Sequence, residues 1–355
     1  MSPSISKPRY IYLDILRVIA CFFVCYNHAY GYHLFLDQEA DGSLLSWINV
    51  CLSSVVAINI PLFFMISGAL LLCKKEAYTD LLSKRVSRVL VLIFVTSIIT
   101  YILVPRETPS IRLFIYQLFR AEVTGSLWYL YAYLGLLLAL PFLRPAVQEI
   151  TGKDILFLVI LRTLFRPALA FLNFCLELCS LDVIQIAGYF QLPLALVDCF
   201  FCPIVGYYLT HRFATNGITR RQLFGWIAVF FGSCLIASVI TYAEGYCNGF
   251  TQNFIGEFGY SAAMGVFVFV RYIAERFTFP KKLTAFFSAV SPLTLGIFLL
   301  EGIIAHYLYT PFFSPIPWHP VIITIFSVVW CIVYMSVAGS ITWLLKKIPG
   351  VSRYL

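Results

Sequence analysis

Apolar runs of about 20 residues recur from one end of this 355-residue chain to the other, and a run of that length can cross the roughly 30 Å of hydrocarbon in a bilayer. A soluble chain of this size is expected to split into about two domains; nothing here marks such a division. With 61% hydrophobic and 12% charged residues, the chain carries about half the charge of an ordinary soluble domain. The pattern implies an all-α, multi-pass integral membrane protein and excludes a water-soluble globule. The net charge of +8 does not signal nucleic-acid binding, because the basic residues stand in short clusters between apolar runs rather than as a stripe on a soluble surface. The first run follows Lys7 and Arg9 and continues past Tyr26 without a small-residue cleavage site, so it is expected to be a retained span rather than a signal peptide. Eleven cysteines are scattered mostly through the runs. Cys199 and Cys202 form the one C-x-x-C, and with no second pair they are expected to be inert buried thiols, with no metal site.

Charged clusters and Pro/Gly-rich breaks divide the chain into a bundle of about ten expected spans: 10–36, 44–73, 86–104, 126–143, 155–175, 186–209, 223–242, 254–273, 285–309 and 321–345. An even count places both termini on one side. Cytoplasmic loops collect Lys and Arg, and assigning the N-terminus to the cytoplasm puts 19 of the 25 basic residues there. The other side receives Arg106, Arg112 and Arg120, all in one loop, while its remaining loops and edges carry Asp37, Glu39, Asp41, Glu177, Asp182, Glu244 and Glu257. Both termini are therefore expected to be cytoplasmic, with residues 1–355 forming one transmembrane domain without an appended soluble one.

Six charged residues fall inside the apolar runs: Asp14, Arg17, Arg162, Arg166, Asp198 and Glu301, joined by His28 and His306. A charge at mid-bilayer costs about 2.5–3.5 kcal/mol on insertion scales, so such groups face a polar interior and one another. Arg17 and His28 lie eleven residues apart; eleven steps of about 100° come within about 20° of three whole turns, setting both on one helix face about 16 Å apart. Asp14 stands a turn before Arg17 on nearly the same line, so one face presents acid, guanidinium and imidazole in a column looking into one shared polar chamber. A bland alternative has Asp14 and Arg17 anchoring the helix at the interface and His28 as a satisfied interior histidine.

The stretch Tyr12-Leu-Asp-Ile-Leu-Arg-Val-Ile-Ala together with His28 resembles the opening of the membrane-bound acyltransferase-3 family, in which an arginine and a histidine are separated by ten residues. Further likeness lies in Pro61-Leu-Phe-Phe-Met-Ile-Ser-Gly-Ala-Leu-Leu, in Lys84-Arg85-Val-Ser-Arg88 and in Leu127-Trp-Tyr-Leu. Chain length resembles the short single-module members that O-acetylate surface polysaccharides or their lipid-linked precursors. One departure stands out: where the family often has Tyr-Leu-Ile-His, this chain reads Gly296-Ile-Phe-Leu-Leu-Glu301. Either Glu301 serves in place of that histidine, or His306 does, or the substrate differs.

The resemblance implies transfer of an acyl group, usually acetyl from acetyl-coenzyme A, to a hydroxyl of a glycan or lipid-linked glycan in the bacterial inner membrane. Deprotonating such a hydroxyl typically yields about 10²–10⁴ in rate, most often through a histidine. His28 is accordingly the expected general base, with a transient acyl-histidine as the alternative. Arg17 is expected to bind a coenzyme phosphate or orient the thioester, with Asp14 fixing it. Lys84, Arg85 and Arg88 are expected to receive phosphates, unless they serve topology alone. Arg162 and Arg166, at i and i+4, would repel each other without compensation from an anionic ligand or from Asp198 and Glu301. Ser67 with Gly68 allows close helix approach near the site, and Trp128 is expected to stack on a sugar ring or join the interfacial aromatic belt. A polysaccharide transporter would also use buried charges, but no duplicated halves are visible. Membrane lipids are the one further partner implied.

Overall fold

A computed structural model of the chain describes residues 10–31, 44–120, 123–187, 190–248, 254–312 and 320–355. Lys7, Arg9 and the acidic residues at 37, 39 and 41 lie outside these. The described residues contain helices and no strand, as a lipid environment demands: backbone N–H and C=O groups without water must be satisfied within their own segment. Nine of the helices, broken ones included, are long and apolar enough to cross a membrane.

The first span is α1 (Ile11–Tyr26), ending in a wide π-type turn over Asn27–Gly31, where Ala29 leaves helical geometry. The second is broken at residues 57–58 into α2 (Leu44–Val56) and α3 (Asn59–Leu71). The third ends in α4 (Ser87–Leu103). The short amphipathic α5 (Ile111–Phe119) leads to α6 (Trp128–Gln148), and the fifth span joins α7 (Gly152–Thr163) to α8 (Leu169–Leu178) through a π turn. Then come α9 (Asp198–His211), α10 (Arg220–Asn248), α11 (Phe254–Arg276), the broken α12 (Lys281–Val290), α13 (Thr294–Leu299) and α14 (Glu301–Ile304), and finally α15 (Pro320–Leu345).

The expected sixth span, 186–209, differs most. Among its described residues, 186–187 and 190–192 are not helical, a single turn covers Pro193–Leu196, and α9 has only 14 residues, about 21 Å of helix at 1.5 Å per residue. Sequence cannot show this, because an apolar half-span inside protein reads like one facing lipid. α9 is sheathed by its neighbours, with Phe201, Cys202, Val205 and Leu209 wholly buried. Two glycines let it press onto α3 backbone to backbone. A Cβ at Gly68 would lie 1.9 Å from the Pro203 carbonyl oxygen, and one at Gly206 would lie 2.0 Å from that of Met65; only a residue without a side chain fits either place.

The ends of several helices meet at one pole. Tyr12 hydrogen-bonds Thr210, Arg271 of α11 donates to the Leu209 and Phe213 carbonyls, and Lys346, just after α15, donates to the carbonyl of Leu355. Arg17 of α1 donates to Ser291, and Lys346 donates to the neighbouring Pro292 carbonyl. The cytoplasm-side half of α1 and the last described residues thus share one end of the bundle, as ten expected spans would have it if the short α9 segment is counted with the nine long helices. Arg144, expected in a loop, lies instead inside α6 and is buried.

Candidate active site

A cavity of about 640 Å³ enters the bundle at this basic pole between α1, α3, α4, α6 and the α12–α13 junction. Arg17, Lys84, Arg85, Arg88 and Lys346 line it, together with Ser67, Tyr129, Tyr133, Phe63 and Phe298. Arg17 is held from both sides: Nη1 donates to Ser291 Oγ at 3.0 Å and lies 3.8 Å from Asp14 Oδ1. Asp14 is buried, so it positions the guanidinium rather than facing the cavity. Arg85 Nε reaches both oxygens of Glu76 at 2.9 Å, and Arg144 Nη2 reaches Oε2 at 3.0 Å. Burial alone would raise the Glu76 carboxyl, but the hydrogen bonds from Arg144 and Arg85 outweigh it and hold its pKa below the usual glutamate range. The Lys346 amine is also lowered, by burial and by the nearby Arg88. The mouth thus gathers cations around the Glu76 carboxylate, with Lys84 paired to Asp80 at 2.8 Å, an excess of positive charge that favours an anion.

His28 stands beyond the far wall. Its Nδ1 pairs with Glu301 Oε1, and its side chain keeps about 30% exposure against 16% for the glutamate. Glu301 sits immediately after the helical break at Leu300, which turns the carboxylate toward α1. A carboxylate on Nδ1 fixes the neutral ring as the Nδ1–H tautomer and leaves the Nε2 lone pair available. The expectation of one chamber shared by Arg17 and His28 needs correcting. Arg17 lines the large cavity, whereas Glu301 borders a small adjoining space with Cys21, Cys25 and Tyr334, and Val24, Phe63 and Phe298 line both. The two groups occupy opposite sides of an apolar partition: eleven residues, about 16 Å of helix, separate them along the axis, and Val24, Phe63 and Phe298 stand between the two spaces.

An acyltransferase-domain family model matches residues 10–336 of the chain. The chain belongs to the acyltransferase-3 family. It is therefore a membrane acyltransferase of helical architecture. Comparison with curated proteins and with solved structures gives no match.

Other expected site residues of this acyltransferase fall elsewhere. Arg162 is buried between the rings of Phe201 and Tyr260, at 4.8 and 4.6 Å. It pairs with Asp198 and donates to the Ala195 carbonyl, tying the fifth span to the break that begins α9. Compensation of Arg166 by Asp198 or Glu301 does not occur; Glu257 takes that place at 2.9 Å, and neither arginine lines the cavity. His306 packs edge-on to Tyr307, while Glu301 is the group that meets His28. Trp128 is 45% exposed and meets Tyr129 edge-on; Tyr129, not Trp128, lines the cavity. Sequence reasoning missed Glu76, Ser291 and Lys346. A lone loop acid, a serine before proline and one of two end-of-span lysines carry no local signal, since their roles arise only when distant spans meet.

Proposed function

We propose that this membrane acyltransferase moves an acetyl group from acetyl-coenzyme A to a hydroxyl of a surface glycan or its lipid-linked precursor. The observation that carries the reading is the cation-lined cavity ending at a wall whose other side holds a carboxylate–imidazole pair. Lys84, Arg85, Arg88 and Lys346 bind the phosphates of the donor at the mouth, and Arg17 orients the arm beyond them. The basic pole is the cytoplasmic face, where coenzyme A is supplied, in a bacterial inner membrane. His28 Nε2 takes the proton from the acceptor hydroxyl as its oxygen attacks the thioester carbon. The Glu301 carboxylate steadies the resulting imidazolium. Collapse of the tetrahedral adduct breaks the carbon–sulfur bond, and the departing thiolate takes the proton back from Nε2. For donor and acceptor to meet, Phe63 and Phe298 must swing aside, so that water is kept from the thioester until both are bound.

Surface-glycan mass spectra of a deletion strain complemented with wild type or His28→Ala test the reading. Loss of the acetyl increment in the mutant supports it; unchanged acetylation overturns it.

A further inference from the structure

The third span starts at the basic pole with Lys84, Arg85 and Arg88, and the fourth returns there with Arg144, so the connection between Leu103 and Gly125 lies at the opposite face. α5 occupies this connection. Ser110 caps it, Oγ accepting from Leu113 N at 3.1 Å. Both of its ends are tied down: Tyr101 Oη exchanges hydrogen bonds with the Ser110 backbone at 2.9 Å, and Tyr131 Oη donates to the Leu118 carbonyl. Leu113, Phe114, Gln117 and Leu118 are half-buried against the bundle, and every other position is exposed. At about 100° per residue, the exposed half divides into two parallel stripes. Ile111, Ile115 and Phe119 form one, with Ile111 80% and Phe119 82% exposed. Arg112, Tyr116 and Arg120 form the other, the Arg120 guanidinium lying 5.0 Å over the Tyr116 ring. No hydrogen bond or ion pair among the described residues occupies Arg112. A helix so divided lies in the membrane interface, its apolar stripe among acyl chains and its guanidinium groups at the phosphates. Arginines are normally scarce on the non-cytoplasmic side, yet this connection holds Arg106, Arg112 and Arg120 against Glu107 and Glu122.

The same connection touches the segment that carries Glu301. Tyr307 Oη donates to the Leu103 carbonyl at 2.6 Å, and a Cβ at Gly302 would lie 3.1 Å from Thr124 Cγ2. α5 is thus anchored to the part of the chain that holds the His28–Glu301 pair. We propose that α5 is the docking site for the lipid carrier of the acceptor. The lipid tail follows the Ile111–Ile115–Phe119 stripe, and its phosphate pairs with Arg112 and Arg120, whose planar guanidinium groups match phosphate oxygens two at a time. The glycan on that phosphate is then presented to the imidazole. A water-soluble glycan would have no use for the apolar stripe beside the arginines. The inference rests on the acyl-transfer reading and narrows its acceptor to the lipid-linked precursor.

The protein in phosphatidylcholine nanodiscs is offered a polyprenyl monophosphate and phosphatidylglycerol at equal concentration, and bound lipid is counted by native mass spectrometry. Wild type should retain the polyprenyl phosphate severalfold over phosphatidylglycerol, and Arg112→Gln with Arg120→Gln should abolish that preference. Should the double variant not remain monodisperse, Arg112→Gln alone, at an exposed position, should lower the preference. No preference in wild type, or one that survives in the variants, overturns the docking site. In a deletion strain complemented with wild type, the acetyl increment should already be present on lipid-extractable glycan. The acetylated fraction should fall severalfold in the double variant, while acetyl-coenzyme A binding stays at the wild-type level. An increment confined to mature surface glycan overturns the carrier role and leaves acyl transfer standing. No increment on either glycan overturns acyl transfer, and the lipid count then decides the docking site by itself.

Discussion

At the scale of single residues, the account turns on division of labour between two sides of one wall. His28→Gln keeps the shape of the pair but removes the base, and a positioned base contributes about 10²–10⁴ in rate. Turnover of donor and acceptor, followed by release of the coenzyme thiol, should fall in that range with donor affinity unchanged. Glu301→Gln retains Nε2 and should lose less, since its carboxylate orients and steadies rather than reacts. Glu76 gives an acid-side signature. Its carboxylate pKa is depressed in the folded protein, so the stability it contributes is present above the ordinary glutamate value and is lost as pH falls through the lower folded value. Thermal melting of wild type should exceed that of Glu76→Gln near neutrality, and the gap should narrow below about pH 4. A gap constant across that interval would show that the two arginines do not depend on this charge.

Helices here are placed by small residues and by one buried cation. Gly206→Ala drives a Cβ against the Met65 carbonyl, a contact that can be relieved only by separating α9 from α3. Overpacking of this kind costs about 1–3 kcal/mol, and more where backbone opposes it, so the variant should melt well below wild type, while Gly225→Ala, with open space around its Cβ, should not. Arg162 pins the entry to α9, and removing one partner of a buried pair costs about 3–5 kcal/mol. Asp198 is 39% exposed, which places Arg162→Met toward the low end, and Arg162→Met with Asp198→Asn should recover part of the loss in thermal unfolding. Recovery would mark this pair as structural; binding loss without a stability change would return it to the site.

Across the whole molecule, what the sequence makes legible is periodic or local. Runs of apolar residues disclose the spans, basic clusters gather at one pole, and the spacing of Arg17 and His28 singles out α1 as the helix to which the proposed reaction assigns its base. What needs three dimensions is of another kind. A half-span sheathed in protein has the same composition as one facing lipid, so α9 reads as a full crossing. Phe63 and Phe298 come from other spans than Arg17 and His28, so the partition between those two is invisible until the helices are assembled. The pairing of His28 with Glu301 spans 273 residues of chain, and only the break at Leu300 explains why that carboxylate faces α1. The molecule thus sets a cation-lined cavity on one side of Phe63 and Phe298 and the His28–Glu301 pair on the other, which the proposed reaction uses as its donor and acid–base halves. The most direct measurement of this division sets donor binding beside acetyl transfer for Arg17→Gln and His28→Gln in the same membranes. Arg17→Gln should weaken acetyl-coenzyme A binding, and His28→Gln should bind it normally yet leave the glycan unacetylated; normal binding by the first variant, or acetylated glycan from the second, would contradict the account.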